Sequence, residues 1–292
     1  MNRTMRHPLT FALLLLPTLA LYVIFFVYPV LQSFYYGFTS WDGVSKAAFV
    51  GLDNFSELAA DPKFWKAFLN NIWLILFSCC VQVPLIVTFS LLIGGVKRWQ
   101  SFYKTAVFVP SILSTAVIGI LWSFIYEPQV GLLNQALQAV GLPPVYWLSD
   151  PDWAFVSILI TNGWQWTGFY IVLVLAAILA IPKELNEAVA IDGASGWQKA
   201  LYITVPLIRG IIMVVILLSI TGAMKAADII LVMTKGGPFG STDVMATYMI
   251  NRSFQLFRYG YGAAVAVLIF VFTLLLTAVF KLLTRGGERI EY

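Results

Sequence analysis

Long uncharged stretches of largely apolar residues make up most of the chain, and short polar segments separate them. A membrane-spanning helix needs about 20 apolar residues, because each residue adds only about 1.5 Å along the helix axis. Six stretches meet this length, although the fifth contains Arg209 near its start and Lys225 and Asp228 near its end. The predicted spans cover residues 9–36, 68–94, 105–126, 153–181, 207–233 and 259–282.

A seventh uncharged interval, residues 128–149, is too short to cross a membrane. Pro128, Pro143 and Pro144 restrict its helical part to Gln129–Leu142, because proline interrupts a helix. Asparagine and glutamine residues give this part a polar side, so it is predicted to be re-entrant or to lie at a membrane surface. The pattern as a whole predicts an all-α polytopic membrane protein with six transmembrane helices, forming one transmembrane domain over residues 1–292.

The composition supports lipid as the main solvent of the chain. Hydrophobic residues make up 60% and charged residues 11% of the sequence, whereas ordinary soluble domains have about 25% charged residues. The net charge is +4, but the sequence contains no basic run or alternation of basic and aromatic residues that would indicate a nucleic-acid partner. We therefore interpret the basic residues as determinants of membrane orientation.

The distribution of Lys and Arg between the loops predicts which loops are cytoplasmic. Eleven basic residues share one side, namely Arg3, Arg6, Lys97, Arg98, Lys104, Lys183, Lys199, Arg209, Lys281, Arg285 and Arg289. The other side has six, namely Lys46, Lys63, Lys66, Lys235, Arg252 and Arg258. Cytoplasmic loops carry the excess of Lys and Arg, so both termini and the link between the fourth and fifth spans are predicted to be cytoplasmic.

Familiar catalytic and metal-binding signatures are missing from the sequence. It has no phosphate-binding loop and no H-E-x-x-H motif, and its only histidine, His7, lies in the basic N-terminal segment. Cys79 and Cys80 have no His or Cys partner at metal-ligand spacing and are expected to fill space between helices. The chain is therefore predicted not to be an enzyme and to hold no metal, and any energy from ATP must come through another chain.

The cytoplasmic link from Pro182 to Pro206 is the most informative polar segment. Helix-starting and helix-ending residues predict two short helices there, Lys183–Asp192 and Ser195–Thr204, with Gly193 as the turn between them and Pro206 starting the next span. Helices this short are marginal alone and need a surface on which to dock. That surface could be lipid headgroups or a soluble partner.

The residues of this link resemble the EAA loop of permease subunits in bacterial ABC importers. The family pattern is E-A-A, three residues, G, nine residues and I-x-L-P. Here Glu187, Ala188, Gly193, Ile203 and Pro206 keep every spacing. Small apolar changes place valine at the third position of the E-A-A triplet and before the final proline.

The resemblance extends over almost the whole chain and is closest to the carbohydrate-uptake subclass of maltose or glycerol-phosphate type. The similar segments are FFVYPVLQSFYYGFTSWDG (Phe25–Gly43), FVGLDNF (Phe49–Phe55), GLLNQAL (Gly131–Leu137), VMTKGGP (Val232–Pro238) and YGYGAAVAV (Tyr259–Val267). The resemblance implies a permease for a sugar, an oligosaccharide or a related polyol-phosphate in the bacterial inner membrane.

The resemblance also implies partners and a coupling helix between the fourth and fifth spans. In the family this loop, residues 182–206 here, docks in a groove of the ATP-hydrolysing subunit. The implied coupling residues are Glu187, Ala188, Asp192, Gly193, Ala194, Ile203 and Pro206. The expected assembly contains a second homologous permease, as a heterodimer, two ATP-binding subunits that hold the ATP, and an extracytoplasmic substrate-binding protein.

Polar side chains inside spans are costly in lipid and usually face a partner or a water-filled cavity. The candidates for the substrate path are Asn71, Gln82, Trp122, Asn162, Trp164, Gln165, Lys225 and Asp228, and Asn70 and Trp166 are also considered. Lys225 and Asp228 could instead pair on one helix face near the outer boundary, because they are three residues apart.

Two alternative functions use the same spans. An ABC permease for another solute class, such as peptides or polyamines, would differ only in the residues that line its path. A homodimeric secondary transporter would need carboxylates near the membrane midplane for ion coupling, and Asp228 is the only acidic residue within a span.

Overall fold

The computed structural model describes residues 8–96, 98–182, 184, 185, 187, 189 and 193–284. The helices are α1 (Pro8–Tyr22), α2 (Tyr28–Gly37), α3 (Asp53–Ala60), α4 (Pro62–Phe77), α5 (Val83–Gly95), α6 (Gln100–Ile112), α7 (Thr115–Ile125), α8 (Leu132–Ala139), α9 (Pro151–Leu179), α10 (Gly196–Lys199), α11 (Val205–Leu207), α12 (Arg209–Lys225), α13 (Asp228–Met233), α14 (Met245–Ile250) and α15 (Tyr259–Thr284). Within these residues, the strands are one short antiparallel pair, β1 (Thr39–Ser40) and β2 (Ala48–Phe49).

Single π-helical turns extend four of these helices, and the first three of the turns run directly into the next α-helix. They are Val23–Val27, Ser78–Gln82, Ala200–Thr204 and Asn251–Gln255. The first two turns lie inside the first and second spans, so each of these spans is one long helix made of two α-helical parts.

Six membrane spans follow from this arrangement, as the sequence predicted. Four continuous helices, Leu14–Gly37, Pro62–Gly95, Pro151–Leu179 and Tyr259–Thr284, are long and apolar enough to cross alone. The other two spans are bent helix pairs. Helices α6 and α7 meet at 97°, and the segment Gly196–Leu207 meets α12 at 70°.

Two predicted spans are wrong in detail because their helices break. The predicted span 105–126 is interrupted at Leu113, whose backbone is extended, one turn after Pro110 removes a hydrogen-bond donor from α6. The predicted span 207–233 starts beside the bend at Ile208, inside this helix pair, and its helix stops at Lys225, because the backbone of Ala226 is extended. Lys225 and Asp228 therefore belong to different helices and do not share a helix face.

The chain forms two compact units. One holds the chain through Asp61 together with Met249–Phe270, and the other holds Pro62–Tyr248 and the chain from Val271 onward. Helix α15 contributes residues to both units. The prediction of one transmembrane domain concerns the whole chain and stays a prediction.

The first unit contains a polar cluster, in which α3 and the residue after it meet the segment that precedes α15. Glu57 accepts hydrogen bonds from Nη1 and Nη2 of Arg258, at 2.7 and 2.6 Å. These bonds, together with the positive charge of Arg258, hold the pKa of Glu57 below its ordinary value. Asp61 pairs with Arg252 at 2.9 Å in a less exposed position. Because Glu57 and Arg258 are about half exposed, their pair contributes little to stability.

The second unit packs its spans around α9. Ile86, Ile171, Val174, Leu175 and Val215 are buried together in one apolar cluster from α5, α9 and α12. Close approach is possible because α9 carries glycine at the crossing with α6, where a Cβ at Gly168 would overlap the carbonyl oxygen of Val107. Small residues at such crossings let helix backbones approach closely in membranes.

Buried asparagines satisfy backbone groups where the helices end or break. Asn71 is fully buried; its Nδ2 donates to the carbonyl of Ala223 at 2.7 Å, and its Oδ1 accepts from the N–H of Met245 at 2.9 Å. Asn70 donates to the carbonyls of Ser241 and Asp243 at 2.8 and 2.7 Å. These two side chains tie the second span to the segments on either side of α13.

We predict that Asn71→Leu destabilises the protein by about 2 kcal/mol or more, because it leaves a backbone carbonyl and an N–H buried without partners. Thermal unfolding of the purified chain in detergent measures the effect. Asn162→Leu is the matched control, since the Asn162 amide makes no hydrogen bond to the described residues. Equal melting temperatures for the two variants would contradict this structural role.

Candidate functional site

A cavity of about 260 Å³ lies among the second to fifth spans of the unit that contains Pro62–Tyr248, and we call it the polar cavity. Its lining residues are Ser78, Gln82, Thr115, Asn162, Trp166, Tyr170, Ser219, Gly222, Ala223, Lys225, Ala226, Ala227, Asp228 and Ile229. Side-chain amides, hydroxyls and two aromatic rings contribute to this surface, together with small apolar residues. A cavity with convergent polar groups on largely apolar walls is the usual form of a small-molecule site.

Four of the predicted path residues line the polar cavity, namely Gln82, Asn162, Lys225 and Asp228. The side chains of Lys225 and Asp228 are exposed, and no ion pair joins them among the described residues. The expected pairing of these two charges on one helix face is therefore wrong, since the break at Ala226 and Ala227 separates them. Both charges remain available to a solute.

Two helix breaks border the polar cavity, one at Leu113 and Ser114 and one at Ala226 and Ala227. Thr115 is the first residue of α7, after the break at Leu113 and Ser114, and Asp228 is the first residue of α13, after the second break. Thr115 and Asp228 also line a neighbouring cavity with Ser114 and Leu231. Helices α7 and α13 pack together closely enough that a Cβ at Gly119 would come within 2.6 Å of Val232.

The remaining predicted path residues lie behind this surface or beside it. Asn71 uses its amide for the backbone bonds described above, and it does not line the cavity. Gln165 is buried, and its Nε2 donates to Oγ1 of Thr115 at 3.1 Å, so it positions a lining residue. Trp122 and Trp164 pack edge to face, with ring centroids 5.4 Å apart, and neither lines the cavity.

Several lining residues were not predicted from the sequence. Thr115, Tyr170 and Ser219 each resemble ordinary core or interface residues in a span, and no local pattern distinguishes them. Thr115 is placed by the helix break before it, whereas Tyr170 and Ser219 lie within continuous helices and reach the cavity through the packing of the spans. Trp166, considered with the other tryptophans, does line the cavity.

The predicted coupling segment is helical on both sides of a glycine turn. Residues 184, 185, 187 and 189 are helical, and Glu187 is exposed. Gly193 has a φ of +74°, a left-handed conformation that favours glycine, as the turn prediction requires. Ala188 and Asp192 lie outside the described residues.

The second half of this segment starts with a capping box. Oγ of Ser195 accepts from the N–H of Gln198, and Oε1 of Gln198 accepts from the N–H of Ser195 at 2.8 Å. The helix continues through a π-helical turn to Leu207, so Pro206 lies inside it. The expectation that Pro206 starts the next span is therefore wrong, because the bend falls at Ile208.

Two of the three motif residues in this second half are less exposed than the large side chains on its outer face. Ala194 and Ile203 are half-buried, and Pro206 is exposed. Large side chains face outward on the same helix, with Trp197 66% and Tyr202 77% exposed. Such a surface on a short helix is typical of an interaction site.

Comparisons with known proteins agree with this architecture. The family model described as "Binding-protein-dependent transport system inner membrane component" matches residues 55–287. The diacetylchitobiose uptake system permease protein NgcF of Streptomyces coelicolor is 34% identical over 92% of this chain and 81% of its own length. The trehalose/maltose transport system permease protein MalF of Thermococcus litoralis is 31% identical over 92% of this chain and 91% of its own.

A solved structure has the same fold. A chain from the crystal structure of the bacterial alginate ABC transporter, in complex with an alginate pentasaccharide-bound periplasmic protein, superposes with a TM-score of 0.83. The two sequences are 25% identical, and the match covers 96% of this chain and 95% of that chain. The family match covers well over half of the sequence and includes the coupling segment and five of the six spans. The chain therefore belongs to the family of inner membrane components of binding-protein-dependent transport systems, the ABC importer permeases that its coupling loop resembles.

Proposed function

We propose that the chain is a permease subunit of an ATP-driven, binding-protein-dependent importer for a sugar, an oligosaccharide or a related polyol-phosphate compound. It forms half of a translocation path and pairs with a second, homologous permease in a heterodimer. The polar cavity beside the two helix breaks is the observation that carries this proposal. The family assignment makes the chain a transport component and not an enzyme, as its sequence predicted.

The chemistry of the polar cavity supports a hydroxyl-rich solute. Gln82, Asn162 and Thr115 offer donors and acceptors, and the rings of Trp166 and Tyr170 offer apolar faces. A sugar ring has hydroxyls around its edge and apolar faces, so both kinds of surface have a use. The names of the relatives also favour a sugar or oligosaccharide as the solute, since they specify trehalose or maltose and diacetylchitobiose.

The exposed coupling segment supports a partner that supplies energy. Glu187 offers a carboxylate to a positively charged surface of a partner subunit. Trp197, Leu201 and Tyr202 offer an apolar surface that is exposed on the chain alone. Two ATP-binding subunits would dock here and hold the ATP, so the permease itself needs no cofactor. Movement of this segment would then switch the spans between inward-facing and outward-facing states.

The orientation of the chain follows from its basic residues. Both termini and the coupling segment lie in the cytoplasm, where Lys and Arg are in excess. The opposite loops then face the extracytoplasmic substrate-binding protein. The structural relative that was crystallised with a periplasmic protein supports this arrangement.

A permease for another solute class is the alternative, and the charges of Lys225 and Asp228 in the polar cavity, which form no ion pair with any described residue, favour it. A charged group on the solute would have a partner there. A homodimeric secondary transporter has less support, because the family consists of components of binding-protein-dependent systems.

Uptake by vesicles that hold the full assembly tests the proposed function. With a panel of labelled neutral sugars, acidic oligosaccharides, polyol phosphates, peptides and polyamines, we expect ATP-dependent uptake of a carbohydrate or polyol phosphate. Vesicles without ATP are the control. Uptake without ATP, or uptake of peptides or polyamines alone, would contradict the proposal.

Asn162→Leu tests the polar cavity itself. Removing one polar contact to the solute costs about 1 kcal/mol, so we expect the KM for uptake to rise roughly 3- to 10-fold with an unchanged melting temperature. Asn134→Leu would be unsuitable as a comparison because that amide is hydrogen-bonded to the backbone. Ser123→Ala, outside the cavity lining, is the matched control and should keep the wild-type KM. An unchanged KM for Asn162→Leu would remove this residue from the path.

Gly193→Val tests the coupling segment. Valine disfavours the left-handed backbone of this turn, whereas the space around its Cβ is open, so the spans should still insert and fold. We expect ATP hydrolysis to continue while uptake per ATP falls several-fold, and Glu187→Lys should act in the same direction. Gly196→Val is the control, because Gly196 also has open space but no positive φ. Wild-type coupling in Gly193→Val would refute the assigned role.

A further inference from the structure

A second cavity lies at the predicted cytoplasmic end of the spans, and the proposed transport function does not use it. It measures about 420 Å³ and lies between the end of the coupling segment at Pro206 and Leu207, the start of α12 and the end of α15. We call it the basic groove. All of its lining residues belong to the unit that contains Pro62–Tyr248 and the chain from Val271 onward.

Two cationic side chains mark one end of the basic groove. Arg209 is the first residue of α12, and Lys281 is in the last turn of α15. Both side chains are exposed, and neither forms an ion pair within the described part of the chain. No Asp or Glu is among the groove's lining residues. The amide groups at the start of α12 add partial positive charge beside Arg209, so this end of the groove attracts an anion.

The rest of the basic groove is apolar and extends into the span region. Met213, Val214 and Leu217 lie one to two turns further along α12 from Arg209, about 6 to 12 Å deeper along the helix axis. Phe280 contributes a ring from α15. A soluble anion such as phosphate would use the cationic end but leave these apolar walls without a partner.

We propose that the basic groove binds an anionic glycerophospholipid of the inner leaflet. The phosphate lies between Arg209 and Lys281, where a guanidinium can bind two phosphate oxygens, and an acyl chain follows Met213, Val214 and Leu217. Basic pockets between transmembrane helices on the cytoplasmic side are suited to such headgroups. The assignment rests on the orientation given under the proposed function.

The bound lipid would touch both sides of the 70° bend at Ile208. Leu207 ends α11, directly after the coupling segment, and Arg209 begins α12, and both line the groove. A headgroup held by Arg209 and Lys281 therefore links this junction to the last span. Anionic lipid would in this way favour one geometry of the junction through which the coupling segment acts on the spans.

Lipid retention by the purified full chain tests the proposal without requiring transport. The chain is exchanged into nanodiscs that contain equal amounts of phosphatidylglycerol and phosphatidylcholine, and the lipids retained after mild detergent extraction are counted by native mass spectrometry. We expect the wild-type chain to retain phosphatidylglycerol about tenfold more often than phosphatidylcholine, because each cation near the headgroup favours anionic lipid. Equal retention of the two lipids would overturn the proposal.

Three variants locate the site. Arg209→Gln combined with Lys281→Gln should abolish the preference, and Arg209→Lys should keep part of it. Gly210→Leu should block the groove without a clash at its Cβ, since no atom lies within 4 Å of that position. Arg98→Gln combined with Lys104→Gln removes two exposed charges on the same predicted side outside the groove and should leave the preference unchanged.

The outcomes separate the lipid site from other occupants and from the transport function. A preference that survives in the Arg209 and Lys281 double variant, or that is lost equally in the Arg98 and Lys104 control, would overturn the site. Displacement of the bound lipid by inorganic phosphate at equal concentration would also overturn the proposed site. So would loss of the bound lipid when the second permease binds. If retention follows the expected pattern but vesicles transport no solute, the lipid site stands and the proposed function fails.

Discussion

Satisfying every backbone polar group without water is the constraint on which this structure depends. Inside a bilayer an unpaired N–H or C=O costs several kcal/mol, so a chain can leave the helical conformation only where other groups replace the lost bonds. Here the replacements are buried side-chain amides. Asn71 serves Ala223 in the last turn of the fifth span and Met245 at the start of α14, and Asn54 serves Gly37 and Thr39 where the first span ends.

The polar cavity is a consequence of the same constraint. Irregular backbone at membrane depth is tolerated beside a cavity, and two of the helix breaks, at Ser114 and at Ala226, border this one. The break at Ala226 also moves Lys225 and Asp228 onto separate helices, which leaves two opposite charges facing the same space.

The sequence predicted the spans and the turn at Gly193 because their signals are local. Length without charge identifies a span, and a glycine flanked by helix-capping residues identifies the turn at Gly193. It failed at Ala226 and Ala227, since alanine favours helix and gives no sign of a break. It also assigned Asn71 to the substrate path, because a polar residue in a span looks the same whether its amide faces a solute or a backbone 152 residues away.

The π-helical turn at Ser78–Gln82 makes the second span depend on the number of its residues as well as on their identity. A π-helical turn accommodates one residue more than a regular α-helical turn, so deleting one residue within it would leave α4 and α5 in nearly their present relative orientation. Inserting one residue into the regular helix between Asn71 and Ser78 would instead rotate the rest of the span by about 100°. Gln82 would then leave the polar cavity while Asn71 kept its place. The number of residues between Asn71 and Gln82 is thus itself a determinant of which side chains meet the solute.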